Sequence, residues 1–230
     1  MNTMHPEAPI RVYLARSESL RRVHFGLRYR IYCVENGYEP PSRYRDGLER
    51  DALDQRSEHF VVRVGSFHGR GRWVGTMRLI LPDGPHDPGK VPPLEISRLI
   101  ACDAQHLESS RVLYHLSQAA QAYAVEHGYP HLQFLIRPAL ARLLCRFGLP
   151  LEQCGEARDH RGLRIPYRVD AAAAADRLRN WRQRYGLPAV TTGAHYIPMY
   201  WPLETHPPDV QDVQDVQGAS GMDCPQLQDS

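Results

Sequence analysis

The segment Leu94–Ala101 constrains the fold of this chain more than any other. Its mostly apolar residues predict a short strand inside a sheet, yet it carries Glu95 and Arg98. An unpaired charge in an interior strand costs free energy, so both side chains should have partners or a chemical task. A regular strand would direct Glu95 and Ser97 to one face and Arg98 to the other. If Glu95 and Arg98 share a pocket, we therefore expect a β-bulge in this strand.

Strand and helix patterns alternate along the rest of the chain. Strand patterns occur at residues 10–14, 59–64, 73–81, 132–136, 151–154 and 163–169. Helix patterns occur at residues 17–34, 108–127, 138–147 and 170–185. The order predicts an α/β (or α+β) domain with a central mixed β-sheet flanked by helices.

The two ends of the chain lack these patterns. Residues 1–9 are polar, and we expect a flexible N-terminus followed by one folded domain over residues 10–202. Residues 203–230 include a threefold Asp-Val-Gln repeat at 209–217 and then small polar residues. Such composition cannot bury a core, so this tail is expected to be disordered.

Composition excludes several classes of function. The net charge of +2 does not favour nucleic acid or a membrane surface as partner, and no apolar run could cross a bilayer. Five scattered cysteines, without a CxxC pair or a signal peptide, predict reduced thiols in a cytoplasmic protein. The twelve histidines lack ligand spacing, so no metal site is predicted.

Asp51 and Asp54 stand three residues apart just before a strand. One interpretation is a solvated turn that caps a helix. The other is a pair of carboxylates that receives a cationic amine and positions it or accepts its proton. Both interpretations stay open at this point.

Two arginines could serve the same site. Arg28 and Tyr32 are four residues apart and therefore share a helix face. Arg28 is either a surface arginine lying along an aromatic ring or a partner of the aspartates. Arg78, in a predicted strand, could reach Glu95 from the neighbouring strand. Together with Arg98, these residues make three arginines and three acids.

These residues lie in a series of motifs that resembles the acyl-homoserine-lactone synthases of the GNAT acyltransferase fold. The series consists of Leu27–Tyr32, Gly37–Glu39, Asp51–Asp54, Gly75–Leu79 and Glu95–Arg98. The chain is more similar still to a sister group, the PEP-CTERM/exosortase system-associated acyltransferases, which also resemble N-acyl amino acid synthases. Typical of that group are the segments 28–35, 138–144, 146–148 and 162–167.

The resemblance implies a GNAT-like fold and transfer of an acyl group from a thioester to the amine of a small acceptor, such as an amino acid. It implies catalytic roles for Glu95, Arg98, Asp51 and Asp54. It implies substrate binding by Arg28, Tyr32, Tyr38, Arg78 and Ser97. Glu95 is the candidate base, and backbone N–H groups freed by the bulge are candidates to hold the oxyanion. Tyr32 and Tyr38 stand where the lactone synthases usually have Phe and Trp, so S-adenosylmethionine is not assumed as acceptor.

The linker from Cys102 to Glu108 bears on the acyl donor. GNAT enzymes that use coenzyme A usually have a glycine-rich phosphate loop at this point, whereas this linker has no glycine and two acids. Acids beside a pyrophosphate would repel it, which favours acyl carrier protein over acyl-CoA as co-substrate, with no bound cofactor. The acidic carrier would dock on Arg137, Arg142 and Arg146, although an ordinary solvated face explains them equally well.

Two alternative functions remain. An acyl-homoserine-lactone synthase would use the same site on another amine. A non-catalytic GNAT-fold module would bind an acyl group or a partner of the exosortase pathway. In each case we expect a monomer.

Overall fold

The structure is a computed structural model that describes residues 9–65, 71–84, 90–102, 109–187 and 196–199. The predicted tail from residue 203 lies outside the described residues, as do residues 1–8 of the predicted flexible N-terminus. The predictions for the linker that follows Cys102 also fall outside them.

Nine strands and four α-helices are present among these residues. The strands are β1 (Ile10–Ala15), β2 (Ser57–Gly65), β3 (Gly71–Ile80), β4 (Leu94–Ala101), β5 (His131–Ile136), β6 (Glu152–Gln153), β7 (Arg158–Asp159), β8 (Leu163–Asp170) and β9 (Ile197–Met199). The helices are α1 (Glu18–Arg28), α2 (Ser109–Glu126), α3 (Pro138–Arg146) and α4 (Ala171–Arg184). Strands β7 and β9 were not predicted, because two or three residues are too few to show a periodic pattern.

Short helical segments join the first helix to β2. Helix α1 is capped by the Ser17 side chain and continues as a π-helical segment, Tyr29–Glu35. Two 3₁₀ helices, Pro41–Arg43 and Ala52–Arg56, follow in the connection. This connection carries Asp51 and Asp54 back to the sheet beside the end of α1.

The strands form one mixed sheet in the order β6-β8-β5-β4-β3-β2-β1-β9, and β7 pairs with the start of β8. Strands β1 to β4 are antiparallel neighbours, whereas β5 is parallel to β4 and β9 is parallel to β1. The predicted architecture of a mixed sheet flanked by helices is confirmed.

Helices cover the two faces of the sheet unequally. On one face, α2 and α4 bury the main apolar core, to which β4 and β5 contribute Leu94 and Leu132. On the other face, α1 packs over a smaller core that includes Leu20, Leu27 and Val61. The polar residues of β3 and β4 point to this second face.

Strand β4 carries the predicted bulge. Its register against β3 shifts by one residue beyond Ser97. Arg98 and Leu99 therefore face the single residue Met77. Arg98 has a φ of 50°, in the left-handed region that costs an L-residue about 1 kcal/mol. The Thr76 hydroxyl donates a hydrogen bond to the Arg98 carbonyl at 2.9 Å and holds the bulge in place.

Strands β4 and β5 diverge at the same point. Their parallel pairing ends at the pair Ile96–Phe134, so the β4 backbone from Ser97 onward has no partner in β5. The bulge and the divergence together open the middle of the sheet.

Gly75 of β3 allows α2 to approach the sheet closely. A Cβ at this position would lie 2.8 Å from Val112 Cγ1 and 2.9 Å from the Ile100 carbonyl oxygen. We expect Gly75→Ala to lower the free energy of unfolding by about 1–3 kcal/mol, as overpacking typically does. Gly26→Ala is the matched control, because its Cβ would meet only Leu48 at 3.8 Å inside α1. The control should stabilise by about 0.5–1 kcal/mol in urea unfolding. Equal effects of both variants would contradict this packing argument.

Candidate active site

Three arginines and three carboxylates form a closed ring on the face of the sheet that α1 covers. Each arginine pairs with at least two of the carboxylates and each carboxylate with at least two of the arginines, and the three charges of each sign cancel. The members of this charged ring are Arg28, Arg78, Arg98, Glu49, Asp51 and Asp54.

Arg28, the last residue of α1, is fully buried at the centre of the ring. Its Nε donates to the Glu49 carboxylate, and its Nη1 donates to Asp54 Oδ1 at 2.6 Å. The interpretation of Arg28 as a partner of the loop aspartates is confirmed. A surface arginine lying along Tyr32 is excluded by its burial.

Arg78 joins the ring from β3. Its Nη1 lies 2.6 Å from Asp51 Oδ1 and 2.8 Å from Asp54 Oδ1, and its Nε donates to Ser97 Oγ at 2.9 Å. The expectation that Arg78 reaches Glu95 is wrong. The register places Arg78 opposite Ser97, and the loop aspartates take its guanidinium.

Arg98 enters the ring because of the bulge. Its Nη2 donates to Glu49 Oε1 and to Asp51 Oδ2, each at 2.9 Å. Its guanidinium also lies 5.4 Å from the centroid of the Tyr32 ring, within the range of a cation–π contact. In a regular strand Arg98 would point away from the face of Ser97, so the left-handed residue makes these contacts possible.

Asp51 and Asp54 form a helix cap, as the first interpretation expected, and pair with arginines of the ring, while their reception of an amine stays a prediction. Asp51 caps the 3₁₀ helix Ala52–Arg56, and Asp54 Oδ2 accepts a hydrogen bond from the Asp51 backbone N–H at 2.8 Å. Burial raises the pKa of Asp54, but Arg28, the Asp51 N–H and Arg78 outweigh it and hold that pKa well below its usual range. A carboxylate held ionised in this way is a weak base, so its contacts favour positioning over proton transfer.

Glu49 is the ring member that the sequence interpretation missed. The sequence predicted Glu95 as the third acid of the cluster. In the structure the third acid is Glu49, with 1% of its surface exposed. In the sequence, Glu49 stands in a polar loop beside Arg50, where a buried carboxylate resembles a solvated one. Three arginines predicted close to two aspartates were the available signal for a further acid nearby.

Two buried histidines lie beneath the charged ring. The rings of His24 and His59 are 4.7 Å apart, and His24 Nε2 lies 3.5 Å from Arg28 Nη1. Burial lowers the pKa of His59 to about 4, against the attraction of Asp54. Burial, followed by the charges of Arg28 and His59, also lowers the pKa of His24. Both rings are therefore neutral in the folded protein at neutral pH.

These histidines should make the fold sensitive to mild acid. An unfolded chain takes up a proton at His59 near pH 6.5, whereas the folded chain does so near pH 4. The contribution of neutral His59 to the free energy of unfolding is thus fully present above pH 6.5. It falls by about 1.4 kcal/mol per pH unit as the pH drops toward 4. In urea unfolding, His59→Gln should flatten this slope, and the exposed control His160→Gln should leave it unchanged. A slope that His59→Gln does not alter would refute the assignment.

A cavity of about 560 Å³ opens where β4 and β5 diverge, and it borders the charged ring. Its polar part is lined by Asp51, Arg78, Glu95, Ser97 and Arg98. Its apolar part extends beneath α2, α3 and α4 and is lined by Met77, Leu113, Ala120, Leu132, Phe134, Leu144 and Leu178. One continuous space therefore joins a charged site to an apolar interior.

Glu95 lies at this cavity but outside the charged ring. Its side chain is exposed, and it makes no ion pair or hydrogen bond with any of the described residues. Of the described carboxylates that line the cavity, Asp51 pairs with arginines of the ring and Glu39 with Arg43 and Arg161, so Glu95 is the one that no arginine neutralises. Ser97 differs, because its hydroxyl is held by Arg78.

Two tyrosines form a wall of the polar part. The rings of Tyr32 and Tyr38 are 6.0 Å apart. The Tyr38 hydroxyl accepts a hydrogen bond from Arg137 Nη2 at 2.9 Å. Arg161, in the turn between β7 and β8, and Arg164, near the start of β8, complete this wall and were not predicted as site residues.

The three arginines predicted to dock a carrier separate into two groups. Arg137 lies beside the cavity at Tyr38, while Arg142 and Arg146 are exposed on α3. Neither of these two pairs with a carboxylate in the part of the chain that the structure describes. Helix α3 also lines the cavity through Leu140 and Leu144, so its basic face lies close to the site.

No group of three or more His, Cys, Asp or Glu side chains is arranged to hold a metal ion in the described ranges. None of the helices described is long and apolar enough to cross a membrane.

Comparison with known proteins identifies the fold. The family model of the acetyltransferase (GNAT) domain matches residues 27–118, a span that contains the whole charged ring and Glu95. None of the curated proteins matches the sequence significantly.

Several solved structures are similar over most of the chain. A CoA-dependent acyl-homoserine lactone synthase, BjaI, with SAM and isopentyl-CoA, superposes with a TM-score of 0.59 at 19% identity, over 80% of this chain and 92% of that one. The CoA-dependent acyl-homoserine lactone synthase MesI superposes with a TM-score of 0.55 at 21% identity, over 79% of this chain and 97% of that one. The AHL synthase LasI superposes with a TM-score of 0.56 at 14% identity, over 71% of this chain and 91% of that one. The chain thus has the GNAT-like α/β fold, which together with the family match supports an acyltransferase.

Proposed function

We propose that this protein is an N-acyltransferase that moves a fatty acyl group from a thioester to the amine of a small acceptor such as an amino acid. The observation that carries the proposal is the single cavity in which an unpaired carboxylate and a charged ring meet an apolar interior. The apolar part suits an acyl chain, and the polar part suits an amine.

The reaction follows from the groups at the cavity. The amine attacks the thioester carbonyl carbon, a C–N bond forms, and Glu95 takes the amine proton directly or through a water. The β4 backbone freed at the bulge offers N–H groups to the oxyanion of the tetrahedral intermediate. The C–S bond then breaks, and the thiolate leaves and is protonated. The charged ring holds Arg98 and the strand in register for these steps.

The donor we propose is an acyl carrier protein, with acyl-CoA as the alternative. The acidic linker after Cys102 and the unpaired Arg142 and Arg146 support the carrier. BjaI and MesI are CoA-dependent, which supports the alternative. The exosortase context rests on the motif resemblance. We propose a cytoplasmic location because no disulfide joins the cysteines of the described residues, and we propose a monomer as well.

Acyl-homoserine lactone synthesis is the second candidate, favoured by the similarity to BjaI, MesI and LasI. The structure of BjaI contains SAM, which is a larger molecule than an amino acid. Tyr32 and Tyr38 in the wall of the polar part are the residues that would have to accommodate this larger acceptor.

The test offers the purified full chain one acyl group on two donors, acyl carrier protein and CoA. The acceptors are a pool of the proteinogenic amino acids and, separately, S-adenosylmethionine. Products are read by mass spectrometry, because the exposed Cys145 and Cys154 would react with a thiol reagent. An N-acyl amino acid supports the proposal, and an acyl-homoserine lactone supports the second candidate. Carrier-dependent turnover that falls with added salt supports docking on the arginines. The absence of any product rejects transferase activity on these acceptors.

A further inference from the structure

The cavity is lined by an arginine that neither the proposed chemistry nor an ion pair with a described residue uses. Arg164, near the start of β8, lines the cavity beside the tyrosine wall. Cross-strand register relates it to the site. Glu95 is opposite Gln133 on β5, and Gln133 is opposite Arg168 on β8. Because side chains alternate, Arg164 shares the face of Arg168 and hence that of Glu95.

Arg164 has no carboxylate partner among the residues that the structure describes. Its Nε donates to the His160 carbonyl at 3.3 Å, and no ion pair is formed. Its cationic neighbours add positive charge and bring it no carboxylate that is unpaired. Arg161 is paired with Glu39, while Arg137 bonds only the Tyr38 hydroxyl. Burial, followed by the charge of Arg137, lowers the pKa of Arg164, yet a guanidinium stays charged at neutral pH.

The arginines of the charged ring, unlike Arg164, are paired with carboxylates. Arg28, Arg78 and Arg98 each have at least two carboxylate partners, so the ring offers an incoming anion no net attraction. A half-buried cation without a counter-charge is unfavourable unless a ligand supplies one. The fork of a guanidinium fits a carboxylate through two parallel hydrogen bonds.

We propose that Arg164 binds the carboxylate of the acceptor, so that the substrates are amines with a carboxylate on the adjacent carbon. This inference rests on the proposed function. It places the carboxylate in the same cavity, and on the same face of the sheet, as Glu95, the proposed base for the amine proton. A phosphate of the donor is separated from its thioester by the whole pantetheine arm, which makes it a poorer match to a residue inside the cavity.

The experiment compares acceptors that differ only in the carboxylate. Full-length wild type and Arg164→Gln are given a pool of L-amino acids or the pool of the matching α-carboxamides, with one acyl donor, and kcat/KM is measured by mass spectrometry. We expect wild type to prefer the acids, and Arg164→Gln to lose about 10- to 100-fold with the acids only, the cost of a charged hydrogen bond. Arg164→Lys should retain part of the preference.

Arg158→Gln is the matched control, since Arg158 is exposed in the same hairpin and does not line the cavity. It should behave as wild type. No preference in wild type, or equal losses of Arg164→Gln with acids and amides, would overturn the proposal. A rise in the KM of the donor alone would assign Arg164 to a donor phosphate and would overturn it also.

A second measurement separates this inference from the proposed function. Calorimetric titration of the same proteins with the two pools, without donor, reads carboxylate binding independently of turnover. Binding of acids that is lost in Arg164→Gln supports the site even if no acyl transfer occurs. Binding that is unchanged in the variant rejects the site even if transfer does occur.

Discussion

Arg28→Met is expected to lower the free energy of unfolding by about 3–5 kcal/mol, the cost of breaking a buried ion pair from one side. Arg28 is 0% exposed and Glu49 is 1% exposed, so neither can turn to water when the other is removed. The variant leaves three carboxylates with two arginines, and thus a net negative charge in the interior. Since domains are stable by only about 5–15 kcal/mol, this loss should be plain in urea unfolding.

Two further variants make the result specific to the ring. Arg179→Met removes one partner of the exposed pair with Asp176 on α4, and it should cost at most about 1 kcal/mol. Arg28→Met combined with Asp54→Asn restores charge balance, so it should recover part of the loss. If Arg28→Met costs no more than Arg179→Met, the ring does not hold the fold together.

The bulge in β4 shows what can be predicted from sequence. Two charges three residues apart in an apolar strand cannot share a face in regular geometry, so joint work by Glu95 and Arg98 required an irregular backbone. The bulge is present, but it delivers Arg98 to the charged ring rather than to Glu95. The bulge could be predicted from the residues of the strand itself. The partner of Arg98 could not, because it depends on where the loop that carries Glu49 returns to the sheet.

Other site residues could not be predicted for a similar reason. Arg161 and Arg164 reach the cavity because the two-residue strand β7 folds back on β8, and because β5 then lies between β8 and β4. Neither pairing has a periodic signal in the sequence. The same holds for β9, whose place beside β1 is set by contacts distant along the chain.

Burial also separates residues that look alike in the sequence. Asp51, Asp54 and Glu95 are all acids next to or within strands. Two of them are occupied by arginines and a helix cap, while Glu95 has no partner among the described residues. The proposed division between positioning by the aspartates and proton transfer by Glu95 therefore rests on the tertiary structure.

Glu95→Gln tests that division most directly. The amide keeps the size of the side chain but cannot accept the amine proton, so we expect kcat/KM for acyl transfer to fall by about 10²- to 10⁴-fold. Stability should change by less than about 0.5 kcal/mol, because Glu95 is exposed and bonds none of the described residues. Glu152→Gln, at an exposed pair with Arg168, is the matched control for charge and should retain full activity.

The pH dependence distinguishes a base from a residue that only shapes the cavity. Without Glu95 the reaction depends on amine that is already unprotonated in solution, so the residual rate of Glu95→Gln should rise steadily as the pH approaches the pKa of the acceptor amine. A structural role would lower the rate by the same factor at every pH. Unchanged turnover in Glu95→Gln would remove the base from the mechanism, and a chain with no turnover on any donor would favour the non-catalytic binding module. The activity of Glu95→Gln thus separates an acyltransferase from a non-catalytic binding module.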